Sequence, residues 1–246
     1  MKYFFCLSVI MFWGPFVFGQ YNPVTSMNDD FKQIAGLKSR QSGFEGLQTY
    51  NSGEVKGSQF FYQGWANGSV TTIKGEVISK NYQFLFDRVR HELFIIYKPG
   101  NTTPKEVLQA EKNQVKTFTI ITDRDHVFVP GSAFHTLHLD EFYEVLEKKE
   151  SAFTLLKLVK TSFVKFDSRD MLKVKRGEMY DEFIDKTTYY IVYGSEEPKE
   201  IEFKQKSIIS AIPPGKKGLV DDYFNDNGQR EQNDDFLVKL VQQLNK

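Results

Sequence analysis

Tyr82-Gln83-Phe84-Leu85-Phe86-Asp87, then Arg88-Val89-Arg90-His91, then Glu92-Leu93-Phe94-Ile95-Ile96-Tyr97, is the stretch that decides the fold of this chain. Tyr82, Phe84 and Phe86 recur at every second position, and Leu93, Ile95 and Tyr97 do the same. Side chains two apart share a face only in an extended chain. Residues 87–91 between the runs form a polar corner, so the pattern predicts two half-buried antiparallel strands joined by a short turn.

The same rhythm extends outward. Upstream, residues 58–65 carry Phe60, Phe61, Tyr62 and Trp65, and Asn67-Gly68 is a hairpin-turn signal ahead of a β-branched run at 69–73. Downstream, Pro99-Gly100-Asn101 breaks the pattern, and residues 105–113 read as a brief helical turn or a loop. Residues 115–122 resume a strand, and Asp123-Arg124-Asp125 turns into Val127-Phe128-Val129. Residues 142–146 and 153–163 form a further hairpin, turning at Lys148-Lys149-Glu150. Residues 166–187 are densely charged and are expected as a long exposed excursion. Tyr189 to Tyr193 reads as an aromatic strand, with residues 201–203 as its partner across Gly194-Ser195.

Beyond Lys204 the period changes to that of helices. Ile208, Ile209 and Ile212 suggest a short helix ended by Pro213-Pro214-Gly215. Leu219, Val220, Tyr223 and Phe224 make a second stripe, stopped by Asn227-Gly228. Phe236, Leu237, Leu240, Val241 and Leu244 make a third, opened by Asn233-Asp234-Asp235, whose carboxylates suit a helix N-terminus. Strands first and helices last give an α+β, mainly β fold. We expect a curved antiparallel sheet, a sandwich or partial barrel, spanning 57–204, with C-terminal helices at 205–246 packed on it. Residues 20–56 read as an irregular leader in which Phe31, Ile34 and Leu37 line a short helix begun at Asn28-Asp29-Asp30.

The N-terminus speaks to destination. Met1-Lys2 gives a positive start, residues 3–18 are almost wholly apolar, and polar sequence begins after Phe18-Gly19. This is the layout of a secretory signal peptide, residues 1–19, cleaved near Gly19-Gln20. Its apolar core is short and interrupted by Gly14-Pro15, which argues against a membrane anchor. The mature chain is therefore expected in the periplasm or outside the cell, with no transmembrane span. Cys6, the one cysteine, falls within the segment removed. Disulfides, thiolate catalysis and cysteine zinc sites are excluded from the mature chain.

Composition narrows the function classes. With 32 Lys+Arg against 32 Asp+Glu in 246 residues, the chain lacks the basic excess of a nucleic-acid binder. Aromatics make up 15%, with 23 Phe and 12 Tyr, which suits well-stocked strands.

Candidate chemistry is sparse. His135-Thr136-Leu137-His138, with Asp140 and Glu141 behind it, has a ligand-like spacing. The surrounding residues suggest extended chain, which sends the two rings to opposite faces, so neither a metal nor another cofactor is expected. Asp123-Arg124-Asp125-His126 invites a hydrolase reading, although Asp equally favours turns. Pro130-Gly131-Ser132-Ala133 lacks the second glycine of a nucleophile elbow, and Gly-rich phosphate loops are missing. Asn67-Gly68-Ser69 and Asn101-Thr102-Thr103 match the glycosylation acceptor pattern and read as surface turns. Lys216-Lys217, Asp221-Asp222 and Asp234-Asp235 read as exposed helix positions. Eight aromatics, Phe60, Tyr62, Trp65, Phe84, Phe86, Tyr97, Phe118 and Tyr190, are candidates to line a groove or barrel mouth for an apolar ligand; equally, they fill a core.

The order of several segments resembles a family. Gly57-Ser58-Gln59-Phe60-Phe61 with Gly68-Ser69-Val70, Phe84-Leu85-Phe86-Asp87, Phe142-Tyr143-Glu144-Val145-Leu146 and Leu155-Leu156-Lys157 follow one another, then Thr188-Tyr189-Tyr190-Ile191 and the ending 234–245. Together they are similar to an uncharacterised family of exported proteins from Bacteroidetes-type bacteria, over roughly 57–246. The resemblance implies an envelope or secreted location and carries no active-site residues.

The expectation is a non-enzymatic envelope protein that binds a partner protein or an apolar ligand. Two alternatives stand beside it: an envelope hydrolase built on carboxylates and histidines at 123–138, and a purely structural accessory subunit. The hydrolase needs Asp123, Asp125, His126 and either His135 or His138 to converge in one cleft.

Overall fold

The computed structural model describes residues 37–39, 55–101, 106–134, 136–149 and 152–246. The chain begins with β1 (Leu37–Ser39), β2 (Val55–Lys56), β3 (Asn67–Thr72), β4 (Val77–Ile78), β5 (Tyr82–Asp87), β6 (Glu92–Tyr97) and β7 (Val107–Ala110). Then come β8 (Val115–Ile121), β9 (Asp125–Pro130), β10 (Phe142–Lys148), β11 (Phe153–Val164), α1 (Met171–Arg176), β12 (Asp181–Tyr193) and β13 (Lys199–Ile201). Helices α2 (Gln205–Ala211), α3 (Lys217–Asn227) and α4 (Asp234–Leu244) end it.

Two sheets result, and neither closes into a barrel. The smaller runs in the order β1-β7-β6-β5, and the larger in the order β13-β12-β11-β10-β9-β8-β3-β4. Pairing is antiparallel throughout, except where β2 lies parallel to the start of β12. The alternation in β5 and β6 does what it predicts: Phe84, Phe86, Leu93 and Ile95 point into a core shared with Val70, Phe118, Ile120, Phe128 and Phe142 of the larger sheet. Their neighbours Leu85, Phe94 and Ile96 are buried on the other face, beside Phe60 and Trp65.

The helices cover the other end of the larger sheet. Phe153, Leu155 and Ile191 pack against Ile208, Val220, Phe236, Leu237 and Leu240. Asn233 caps α4 by accepting from the Phe236 amide, as its position before two carboxylates predicts. Between the two cores runs a polar row at matched register, Glu144–Lys157–Tyr189 across three strands. Lys157 pairs with Asp234 of α4 at 2.6 Å, and the Tyr189 hydroxyl donates to the same carboxylate at 2.6 Å. Asp234 is thus a tie between helix and sheet, not the free helix position expected. Lys216 likewise donates to the Leu244 carbonyl at the end of α4.

Several expectations are corrected. Asn67-Gly68 is not a turn: both residues lie in β3, opposite Ile121 and Ile120. Glycine is needed there because a Cβ on Gly68 would stand 2.0 Å from the Thr119 carbonyl oxygen. Residues 107–110 form a strand where a helical turn or loop was expected. Residues 181–187, expected in an exposed excursion, form the first half of β12 and pair with β11 rung by rung. The leader is not wholly irregular, since it supplies β1 to one sheet and β2 to the other. Leu37 sits in β1, not in a helix; Phe31, Ile34 and the signal-peptide reading of 1–19 lie outside the described residues.

Candidate functional site

The eight aromatics separate. Phe84, Phe86 and Phe118 fill the core between the sheets, and Tyr97 packs at its margin against Tyr82. Tyr190 lies on the opposite face of the larger sheet, edge-on to Tyr143. Phe60 and Trp65 rest on the outer face of the smaller sheet. Of the set, Tyr62 and Trp65 line a surface cleft, and they do so with Phe61, which stood outside that set.

Local backbone explains why Tyr62 faces outward. The 60–66 segment is clipped to β5 at both ends, with the Phe61 amide on the Phe86 carbonyl and Ala66 exchanging both bonds with Phe84. Between the clips the chain bows away, turning at Gly64 with φ +109°, a conformation that glycine adopts freely. Tyr62 is 48% exposed as a result. The cleft has a volume of about 710 Å³ and is completed by Asn67, Gln83, Ile121, Thr122, Asp123 and His126. A second depression of about 570 Å³ shares Asn67, Gln83 and Ile121 with it and continues past Ser79, Lys80, Asn81 and Lys98. The two depressions adjoin at Asn67, Gln83 and Ile121, the first the more aromatic and the second the more polar.

In the more aromatic one, His126 is held on both sides. Its Nδ1 lies 2.7 Å from Glu144 Oε1 and its Nε2 lies 3.2 Å from Asp123 Oδ1. Phe61 meets the ring edge-on with centroids 4.8 Å apart. Arg124 donates to the same Glu144 oxygen at 3.0 Å. The Thr122 hydroxyl donates to Asp123 at 2.7 Å, and together with His126 it draws that carboxyl down to about 2. Asp123 is thus a fixed anion on the rim. A general base needs a nitrogen turned towards its substrate. Both nitrogens of His126 face carboxylates.

The grouping that a hydrolase needs is divided. Asp123 and His126 converge, while His138 is exposed in the β9–β10 connection, beyond the opposite end of β9. Asp125 is exposed at the start of β9, and His135 lies outside the described residues. Ser132 is exposed in a single 3-10 turn at Gly131–Ala133. Glu144 was missed in the sequence because it reads as one charge in the apolar run 142–146; only the β9–β10 pairing brings it beside His126. Among the described residues no group of three or more His, Cys, Asp or Glu side chains is placed to hold a metal ion, and no helix is long and apolar enough to cross a membrane.

Comparison with known protein families, with curated proteins and with solved structures finds no match.

Proposed function

We propose that this protein is an exported, non-enzymatic binding module of the cell envelope, and that its ligand lies along the Tyr62–Trp65 groove. Export rests on the charged start, apolar core and polar stop of residues 1–19. Binding rests on one observation above all: exposed Tyr62 and half-buried Trp65 share a cleft with Asn67, Gln83 and ionised Asp123. An apolar ligand would want a closed greasy cavity, but Phe84, Phe86 and Phe118 fill that space themselves. The groove instead suits an elongated molecule with flat apolar faces and a hydroxylated rim, as a chain of sugar rings has. Aromatic rings take the faces, and the amides and carboxylate take the hydroxyls.

Trp65 makes the test direct, since the chain's other tryptophan, Trp13, lies in the segment predicted to be removed. Tryptophan fluorescence and calorimetry are to be followed while cellohexaose, chitohexaose, maltoheptaose and xylohexaose are titrated in turn. Saturable binding of at least one is expected, weakened about tenfold by Tyr62→Ala or Asp123→Ala. If none of the glycans binds, the reading fails. Shortened glycan in the same mixtures would overturn its non-enzymatic half.

A further inference from the structure

Beyond β10 and β13, strands β11 and β12 run on as a two-stranded ribbon that β2 joins at Asp181 and Glu182. β10 accompanies β11 only over residues 154–157, whereas the β11–β12 ladder continues to Val164↔Glu182. The seven rungs from Leu158↔Thr188 onward extend about 20 Å at ordinary strand rise. At the far end, residues 165–180 form a tip in which no residue is buried.

This tip is nevertheless held in shape. Asp170 caps α1 by accepting from the Leu172 and Lys173 amides, and Gly177 closes it at φ +70°. Asp181 accepts from the Phe166 amide across the neck. Lys173 pairs with Glu182 at 2.6 Å, and the Lys56 ammonium donates to the Tyr180 hydroxyl at 2.7 Å. Polar clasps fix the backbone, and the apolar side chains are left outside. Met171 is 60% exposed, Leu172 66% and Met179 61%.

Charge says what meets them. The chain as a whole is neutral, but residues 165–180 hold five cations against three acids. Two of those acids are occupied, Asp167 by Arg169 and Asp170 by the helix amides, and Lys173 is spent on Glu182. Lys165, Lys175 and Arg176 are exposed and make no ion pair among the described residues.

We propose that this tip docks on an anionic membrane surface. Met171, Leu172 and Met179 enter the headgroup region, and Lys165, Lys175 and Arg176 meet lipid phosphates. A short convex tip offers little of the roughly 800 Å² per side that a stable protein complex needs. A bilayer asks only for a few apolar side chains ringed by cations.

The test uses the whole chain and vesicles of phosphatidylcholine, alone or with phosphatidylglycerol. Co-sedimentation is expected with the phosphatidylglycerol vesicles and is expected to fall as salt rises. Lys175→Glu with Arg176→Glu, and separately Met171→Asp with Leu172→Asp, should each weaken it by about tenfold or more. All four side chains are exposed, so circular dichroism should show the fold unchanged. The whole chain here is the mature one from Gln20, so the apolar residues 1–19 add no membrane affinity of their own. The proposal is overturned if both double variants sediment like the parent, if neutral vesicles serve as well, or if the tip captures a protein yet no vesicle.

Discussion

One oxygen of Glu144, a carboxylate almost closed off from water, serves two neighbours at once: His126 Nδ1 at 2.7 Å and the Arg124 guanidinium at 3.0 Å. Both come from the stretch that turns into β9, while the carboxylate projects from β10. The tie therefore fixes the floor of the groove to the strand behind it.

Removing that acceptor leaves the largely covered His126 Nδ1 without its partner, which costs more than the bond itself contributes, while exposed Arg124 turns to water. Glu144→Ala should lower stability by about 2 kcal/mol in urea unfolding, and Glu144→Gln, which keeps an oxygen, by roughly half as much. A double-mutant cycle with His126→Ala should return a coupling of about 1 kcal/mol. Additive single mutants would show that the two side chains do not support one another.

His91 should govern the acid limb of stability. It is 5% exposed, its Nδ1 accepts from the Phe142 amide at 3.2 Å, and its Nε2 has no partner. Burial pushes its pKa from 6.5 down to about 4; Glu141 opposes that shift, while Lys112 and Lys160 assist it. Above pH 6.5 the ring is neutral both folded and unfolded and stability is flat. Between about 6.5 and 4 the unfolded chain takes up a proton that the folded one refuses. Stability should then fall by about 3 kcal/mol in all and level off below that window. His91→Asn accepts the residue's φ of +52° and should flatten the slope. A slope unchanged in that variant assigns the acid limb to other groups.

Asn245 acts as a substitute strand. Its Oδ1 accepts from the Phe153 amide at 2.8 Å and its Nδ2 donates to the Phe153 carbonyl at 3.0 Å. Asn245→Ala strands both main-chain groups in a buried place and should cost about 2–3 kcal/mol. Asn245→Asp keeps the acceptor but loses the donor, and should fall between the two. Thermal unfolding of the three proteins gives the order, and an Asn245→Ala protein as stable as the parent contradicts it.

What could be read in advance follows from the kind of signal each segment carries. β5 and β6 announce themselves through apolar residues at every second position, although both of their faces prove buried and not one as expected, and α4 because its stripe and cap agree. Val107-Leu108-Gln109-Ala110 hides its strand because three of its four residues are buried, on both faces, which erases the alternation. Residues 181–187 hide theirs for the opposite reason: the pairing is made by backbone, and most side chains face water. Asn67-Gly68 carries the letters of a turn, but the glycine answers a close approach of β8. Of the groove, Tyr62, Trp65, Asp123 and His126 were visible as residue types. Their meeting was not, because it depends on a bowed 60–66 segment and on a register set by a long β9–β10 connection.

The polar row from Glu144 to Tyr189 marks a border between two greasy interiors, yet β10 crosses it. Phe142 stands on one side of that border and Leu146 on the other, four residues along the same strand. Neither interior can therefore melt while its neighbour stays intact. Heating should bring the whole body apart in a single calorimetric peak, helices and paired sheets together.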